Sequence, residues 1–397
     1  LVSRDATSAA APYASLWQSI VEQEGGVPQE TLKLGIIAGD AATAPASFQA
    51  SLAEHSFRTH DISENLAKLL VHKDDVELKC LLTSSSISKT VLKKVAVPQI
   101  EKTIDEGSQV QHRTIANELT EVFQTPGKIS DKLADSTHVD CGIVPSVQSG
   151  GIYSLSEPLN TEDNLHFDCI LVELGSRFKS YCSIVGRTYL VDAPENVRKT
   201  YNFVVELQAR LIALCVPGTV MSSVYKAAKT FITESRADLL PYFVPNCGSS
   251  IGLENTETGF VFDETCDAVL SADMVVTIRV GFANIDSSSK KNVATKWKKY
   301  SMLLTDTVQV KDVPHVLTDS AKKYHDISYS IEEADDEEEE EGNNGNGMDV
   351  DEAPADGPTV RRRSTRAQTG ALDPERIHAE AKRQAHQAEL AVKQQKE

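Results

Sequence analysis

The spacing of apolar residues changes character several times along this chain. Residues 34–39, LGIIAG, form the short continuous apolar run that a buried strand leaves. Residues 62–70 and 76–94 repeat apolar positions every three or four, which predicts helices, and Asp74-Asp75 supplies carboxylates where the second begins. Residues 110–123 predict another helix. Residues 166–173, HFDCILVE, then give a nearly unbroken strand signal, and 177–191 follow with Phe178, Tyr181, Val185 and Tyr189. That pair predicts a hairpin with Gly175 as its turn. Asp192 is placed to cap a helix entered through Pro194, whose buried face is Val197, Tyr201, Val204, Leu207 and Leu211. Pro217-Gly218 stops it, a second helix is expected over 222–240, and strands are expected at 274–282 and 300–310.

This order gives an α+β fold. An N-terminal α/β lobe is expected over 1–125 and a sheet domain over 126–320. Residues 321–372 read as a disordered linker, first acidic and then basic, and 373–397 as a helix leading into a further domain. The chain opens on Leu1 and stops inside a helical pattern, so a piece of something longer is expected. No apolar run approaches the ~18 residues of a membrane span, so no membrane partner is expected. Seven cysteines without a C-x-x-C pair predict reduced, buried thiols and no zinc site.

Charge narrows the partners. The formal net charge is −18, and Glu332, Glu333, Asp335, Asp336, Glu337, Glu338, Glu339, Glu340 and Glu341 crowd into ten positions. Such a segment repels itself and cannot bury enough apolar surface to fold alone. It reads either as a solvated linker or as a carboxylate decoy for the Lys and Arg side chains of a basic protein that otherwise binds DNA. Strong direct DNA binding is not expected of so acidic a chain. Arg361, Arg362, Arg363 and Arg366 are a balancing patch or a nuclear-import signal, with Ser364 and Thr365 open to phosphorylation. His378 and His386 read as surface residues.

The chemistry-bearing residues lie between 173 and 306. Glu173-Leu-Gly175, Tyr181 and Arg187-Thr188 resemble the strand hairpin of the creatinase/methionine aminopeptidase, or pita-bread, superfamily, as does the glycine loop 248–254. The resemblance implies a pita-bread sheet over 126–320 and places five metal ligands at Glu173, Ile184, Ser249, Arg279 and Thr305. A dinuclear hydrolase site needs carboxylates and an imidazole converging on one point. Here Ile184 offers no lone pair, Ser249 and Thr305 are weak neutral donors, and Arg279 is a fixed cation. No metal and no cofactor are therefore expected. Arg279 either pairs with Glu173 across the sheet or presents its charge to an acidic or C-terminal peptide group.

Within that superfamily, Arg177-Phe-Lys-Ser-Tyr-Cys-Ser183, Tyr201-Asn-Phe203, Gln148-Ser-Gly-Gly151 and Val316-Leu-Thr318 resemble the large subunits of FACT-type histone chaperones. Residues 184–186, Ile-Val-Gly, depart from the usual pattern. The resemblance implies a nuclear, catalytically silent subunit acting on core histones and nucleosomes during transcription, replication and repair, beside a smaller HMG-type subunit. The competing readings are an active metal-dependent aminopeptidase or proline dipeptidase, and a relative that binds another basic partner such as a ribosomal protein or RNA.

Overall fold

The computed structural model describes residues 11–23, 33–37, 44–54, 58–133, 138–288, 293–331 and 360–361. The chain divides into two compact units, Leu1–Leu70 and Val71–Glu397.

In the first unit, α1 (Ala11–Gln23), α2 (Ala46–Glu54) and α3 (Ser63–Leu70) accompany a parallel pair, β1 (Lys33–Ile36) and β2 (Arg58–Asp61). Tyr13 and Trp17 pack on Phe48, and the Trp17 indole donates to Ser51 at 2.8 Å. The expected strand is there but is not buried: β1 alternates exposed and half-buried residues and β2 is exposed throughout. The parallel partner β2, RTHD, carries no apolar signal by which to read it.

The second unit starts earlier than the sequence predicts. Helices α4 (Asp75–Val91), α5 (Val97–Asp105) and α6 (His112–Gln124) belong to it, so the unit boundary falls at 70/71 and not at 125/126. Asp74 caps α4, accepting from the amides of Val76 and Glu77 at 2.7 and 2.8 Å, while Glu77 returns the bond to the Asp74 amide. Between α4 and α5 one turn, Leu92–Ala96, widens to π geometry. Pro98 has no N–H to give the carbonyl four residues back, and the wider turn absorbs that missing bond.

An eight-stranded sheet forms the core of this unit. β3 (Val139–Gln148) pairs with β4 (Cys169–Phe178), and β4 with β5 (Tyr181–Val191), both antiparallel. Helices α7 (Glu195–Ala213) and α8 (Met221–Arg236) follow, then β6 (Val275–Asp286) and β7 (Lys299–Gln309). β7 pairs with β6 along its length, with β8 (His315–Val316) at one end, and with β5 where Thr305 meets Gly186. After the short α9 (Tyr324–Ile327), β9 (Ser328–Ile331) lies parallel to the end of β5 and pairs with β10 (Val360–Arg361). α4 packs on β4 and β5, α6 on β3, and α7 on β6 and β7. The folded unit therefore runs on through 321–331, which the sequence assigns to the linker.

Some local expectations are corrected. The β4–β5 hairpin forms, but its turn is Lys179-Ser180, both at positive φ (48° and 73°), the left-handed pair that a two-residue hairpin turn requires. Gly175 sits inside β4, where a Cβ would lie 2.4 Å from the Ser183 carbonyl oxygen. Asp192 is not the cap of α7; that position is Pro194, and the Asp192 carboxylate accepts from the Ile331 amide at 3.2 Å. β3 gives no clear sequence signal because Gly142 and Pro145 interrupt it, and its register with β4 shifts twice. α8 ends at Arg236, and 3₁₀ turns with an internal Pro241 carry the chain to Tyr242.

Buried polar ties fix the helices to the sheet. Ser84 and Ser88 of α4 meet Ser176 of β4 and Ser183 of β5, with hydroxyl contacts of 2.8–3.0 Å and no exposure. Such short side chains let helix and strands approach closely while every hydroxyl finds a partner. The acidic run 332–341, Arg362, Arg363, Arg366, His378, His386 and the predicted C-terminal helix lie outside the described residues.

Candidate functional site

Strand register brings four positions into one row. Glu173 of β4 pairs with Gly186 of β5, Gly186 with Thr305 of β7, and Thr305 with Arg279 of β6. Strands lie about 4.8 Å apart, so the outer backbones of the row are separated by about 14 Å. The two longest side chains of the row reach inward and close that gap. Arg279 Nε donates to Glu173 Oε1 at 2.9 Å and an Nη to Oε2 at 3.0 Å. The Thr305 hydroxyl donates to Glu173 Oε1 at 2.5 Å.

Gly186 makes this contact possible. A Cβ there would stand 2.8 Å from Thr305 Oγ1 and 3.3 Å from Glu173 Oε1. It belongs to the Ile-Val-Gly segment that departs from the expected pattern, yet its consequence becomes visible only through pairing.

The electrostatics follow from the geometry. Burial pushes the Glu173 carboxyl up, but the Arg279 charge and the hydrogen bonds from Arg279 and Thr305 outweigh it, holding the group below its ordinary value. Burial works against the Arg279 guanidinium and Glu173 reverses the effect, so its pKa rises. The Glu173 and Arg279 side chains are 14 % and 21 % exposed, enough to face a cleft and too little for water to replace the pairing.

All five positions singled out from the sequence line one cavity of about 770 Å³. Ile184 faces it beside Glu173, its main chain tied to the Thr307 hydroxyl by bonds of 3.0 and 2.9 Å. Ser249 enters from the glycine loop; its amide donates to Thr277 Oγ1 at 3.1 Å and its hydroxyl to Thr256 at 3.3 Å. Gln148, Asn246, Asn255 and Asn284 add uncharged hydrogen-bonding groups, and Glu157 is the remaining charged residue on the described walls. Asn284 owes its place to a bulge between Phe282 and Ile285 and holds φ at +54°. Neither Asn284 nor the wall formed by Tyr153–Pro158 is legible in the sequence, because a bulge and an irregular loop leave no periodicity.

Residues that do match the superfamily pattern sit behind the cleft. Arg187 and Asp306 form a fully buried ion pair at 2.8 Å, and Arg187 also donates to the Thr305 carbonyl at 2.9 Å. Asp306 accepts from Thr318 at 2.9 Å and Lys322 at 2.8 Å. Burial would raise the Asp306 pKa, but Arg187 and Lys322 bring it below the usual carboxylate range. Thr188 bonds the Leu303 main chain in both directions at 2.9 Å. These contacts weld β5 to β7 behind the cleft.

The glycine loop is held by a second buried pair. Lys73 Nζ lies 2.7 Å from Glu257 Oε1 at 1 % and 4 % exposure, and Ser250 donates to Glu257 Oε2 at 2.5 Å.

Comparison with known proteins fits this geometry. Residues 79–312 match the model of metallopeptidase family M24. The chain is 38% identical over 293 residues to the FACT complex subunit SPT16 of Dictyostelium discoideum, covering 73% of this chain and 27% of that protein. It is 31% identical over 352 residues to the SPT16 subunit of Zea mays, covering 87% and 32%. The chain thus spans about a third or less of the length of these relatives. Among solved structures, the N-terminal domain of the FACT subunit SPT16 from chickpea superposes with a TM-score of 0.73 at 25% identity, over 82% of this chain and 76% of that one. A prolidase from Thermococcus sibiricus shares the fold at TM-score 0.63 and 21% identity, over 79% and 76%.

A dinuclear metal centre of the kind the M24 name implies does not fit the five side chains. They offer one carboxylate already engaged by a guanidinium, two hydroxyls and an aliphatic chain. Among the described residues no group of three or more His, Cys, Asp or Glu gathers to hold a metal ion.

Proposed function

The chain belongs to metallopeptidase family M24, and we propose that it serves as a non-catalytic, histone-binding part of a FACT-type complex that destabilises and rebuilds nucleosomes in transcription, replication and repair. The observation that carries this reading is the bidentate Glu173–Arg279 contact, at two of the positions that the superfamily resemblance assigns to metal ligands. A guanidinium salt-bridged to the one carboxylate leaves no site for a cation that would polarise a carbonyl or activate water. The similarity to SPT16 subunits supplies the biological setting.

On this reading the protein is nuclear and chromatin-associated, its partners are core histones and nucleosomes, and the smaller HMG-type subunit is held through parts beyond this segment. Glu332, Glu333, Asp335, Asp336 and Glu337 to Glu341 exchange for phosphate on histone Lys and Arg side chains. Arg361, Arg362, Arg363 and Arg366 act in nuclear import; Arg361 also pairs with Ser330 at the sheet edge.

Elemental analysis, a dipeptide-cleavage assay with and without chelator, and pull-downs against core histones and ribosomal proteins test the proposal together. Selective retention of histones with no bound metal and no turnover is expected. Stoichiometric metal with chelator-sensitive cleavage overturns it in favour of a peptidase, and preference for ribosomal proteins overturns the choice of partner. Changing Glu337 to Glu341 to Gln should weaken histone binding and flatten its salt dependence.

A further inference from the structure

A second groove, of about 530 Å³, lies on the sheet unit away from the cleft. One wall is the end of α4 and the π turn, which present Lys89, Lys93 and Lys94; the other includes Glu101, Asp319 and Asp326. Two of the three carboxylates are engaged, and Asp319 enters no ion pair among the described residues. Glu101 accepts from the Tyr329 hydroxyl at 3.1 Å, and Asp326 accepts from the Lys323 amide at 3.2 Å and faces His325. Among the described residues, none of the three lysines enters an ion pair. Ser320, between the walls, accepts from Arg187 at 2.7 Å, and Arg187 and Lys322 share the single carboxylate of Asp306. One wall of the groove thus carries three lysines outside any ion pair among the described residues, facing two engaged carboxylates and Asp319.

We propose that this lysine ridge is a docking surface for acidic polypeptide and that its occupant is the chain's own segment Glu332–Glu341. Two facts select this occupant. The run of nine carboxylates begins at the residue after β9, and β9 ends beside the groove, where Tyr329 reaches Glu101 and Asp326 lines the wall. Ten residues reach at most about 33–36 Å, ample for a groove of this size. A tether of this length also holds the carboxylates at an effective concentration on the order of millimolar, so several weak, screened contacts suffice.

Zero-length carbodiimide crosslinking of the full chain, read by peptide mass spectrometry, tests the proposal without any partner, so its failure is separate from failure of the histone reading. At low salt, monomer crosslinks from Glu332–Glu341 should favour Lys89, Lys93 and Lys94 several-fold over the exposed Lys226, Lys298 and Lys299. The preference should vanish at about 0.5 M salt, where screening shortens to a few Å. Changing the three lysines to Gln should abolish it while near-UV circular dichroism stays unchanged. Crosslinks spread over exposed lysines without preference, or found only between copies, overturn it.

Discussion

Glu173 and Arg279 grip each other across two intervening strands, with both carboxylate oxygens engaged at 2.9 and 3.0 Å. The pair closes on itself at two of the positions that the superfamily resemblance assigns to metal ligands. It also settles the choice left open by the sequence: the Arg279 charge is committed to Glu173 and is not left for an acidic peptide group.

Gly186→Ala should disrupt this pair from the middle. The new methyl would crowd Thr305 Oγ1 at 2.8 Å, and Thr305 is fully buried and cannot easily give way. A loss of about 1–3 kcal/mol is expected, as for overpacking elsewhere, read as a lower denaturant midpoint with unchanged slope.

Arg279→Met and Glu173→Gln should each destabilise the fold, and the double variant should lose less than the sum. A coupling of about 1–3 kcal/mol from the double-mutant cycle is expected for a bidentate pair largely shielded from water. Additive losses would mean that the contact contributes little. Arg279→Glu should bind no manganese or zinc in calorimetric titration, because Ile184, Ser249 and Thr305 stay unsuited to the ion.

Lys73→Met removes one member of a buried pair and strands Glu257. A cost of about 3–5 kcal/mol is expected. Adding Glu257→Leu should recover most of it, because no uncompensated charge is left. If the double variant is as unstable as the single, the pair organises the glycine loop by more than neutralising charge.

Asp168 and His112 hold opposite sides of the Ser149-Gly150 turn and should pull stability in opposite directions with pH. Burial pushes the Asp168 carboxyl up to about 7, against the Gly150 amide that donates to it at 3.3 Å. The folded chain keeps that proton and the unfolded chain releases it, so this group costs stability as pH rises from about 4 to about 7. Burial lowers His112 to about 4, where it bonds Ser149 at 2.6 Å and Thr161 at 2.8 Å. Its contribution is complete above about 6.5 and is lost as pH falls toward about 4. Asp168→Asn should therefore be stabilising at pH 7.5, lose that advantage near pH 4, and expose a steeper fall below pH 6.5. Chemical denaturation across that range decides it.

The cleft positions are legible in the chain itself because residue type and order are local. Gly175, Tyr181 and Arg187-Thr188 match a hairpin pattern, and the chemistry of Ile184 and Arg279 speaks against metal wherever the chain places them. Periodicity finds α4, α6, α7 and the β6–β7 strands, since each buries a long apolar face. It misses β3, whose Gly142 and Pro145 break the alternation, and it puts the unit boundary too late, because helical spacing does not say which sheet a helix will cover.

The α+β class, the core strands and the unsuitability of Ile184, Ser249, Arg279 and Thr305 as a metal-ligand set follow from side-chain identity taken in order along the chain. The pairing of Glu173 with Arg279, the need for Gly186 between them, and the union of Lys73 with Glu257 184 residues away emerge only in three dimensions. Those facts depend on strand register and on close approach of distant segments. Register follows from the whole packed sheet, and no local stretch of the chain encodes it.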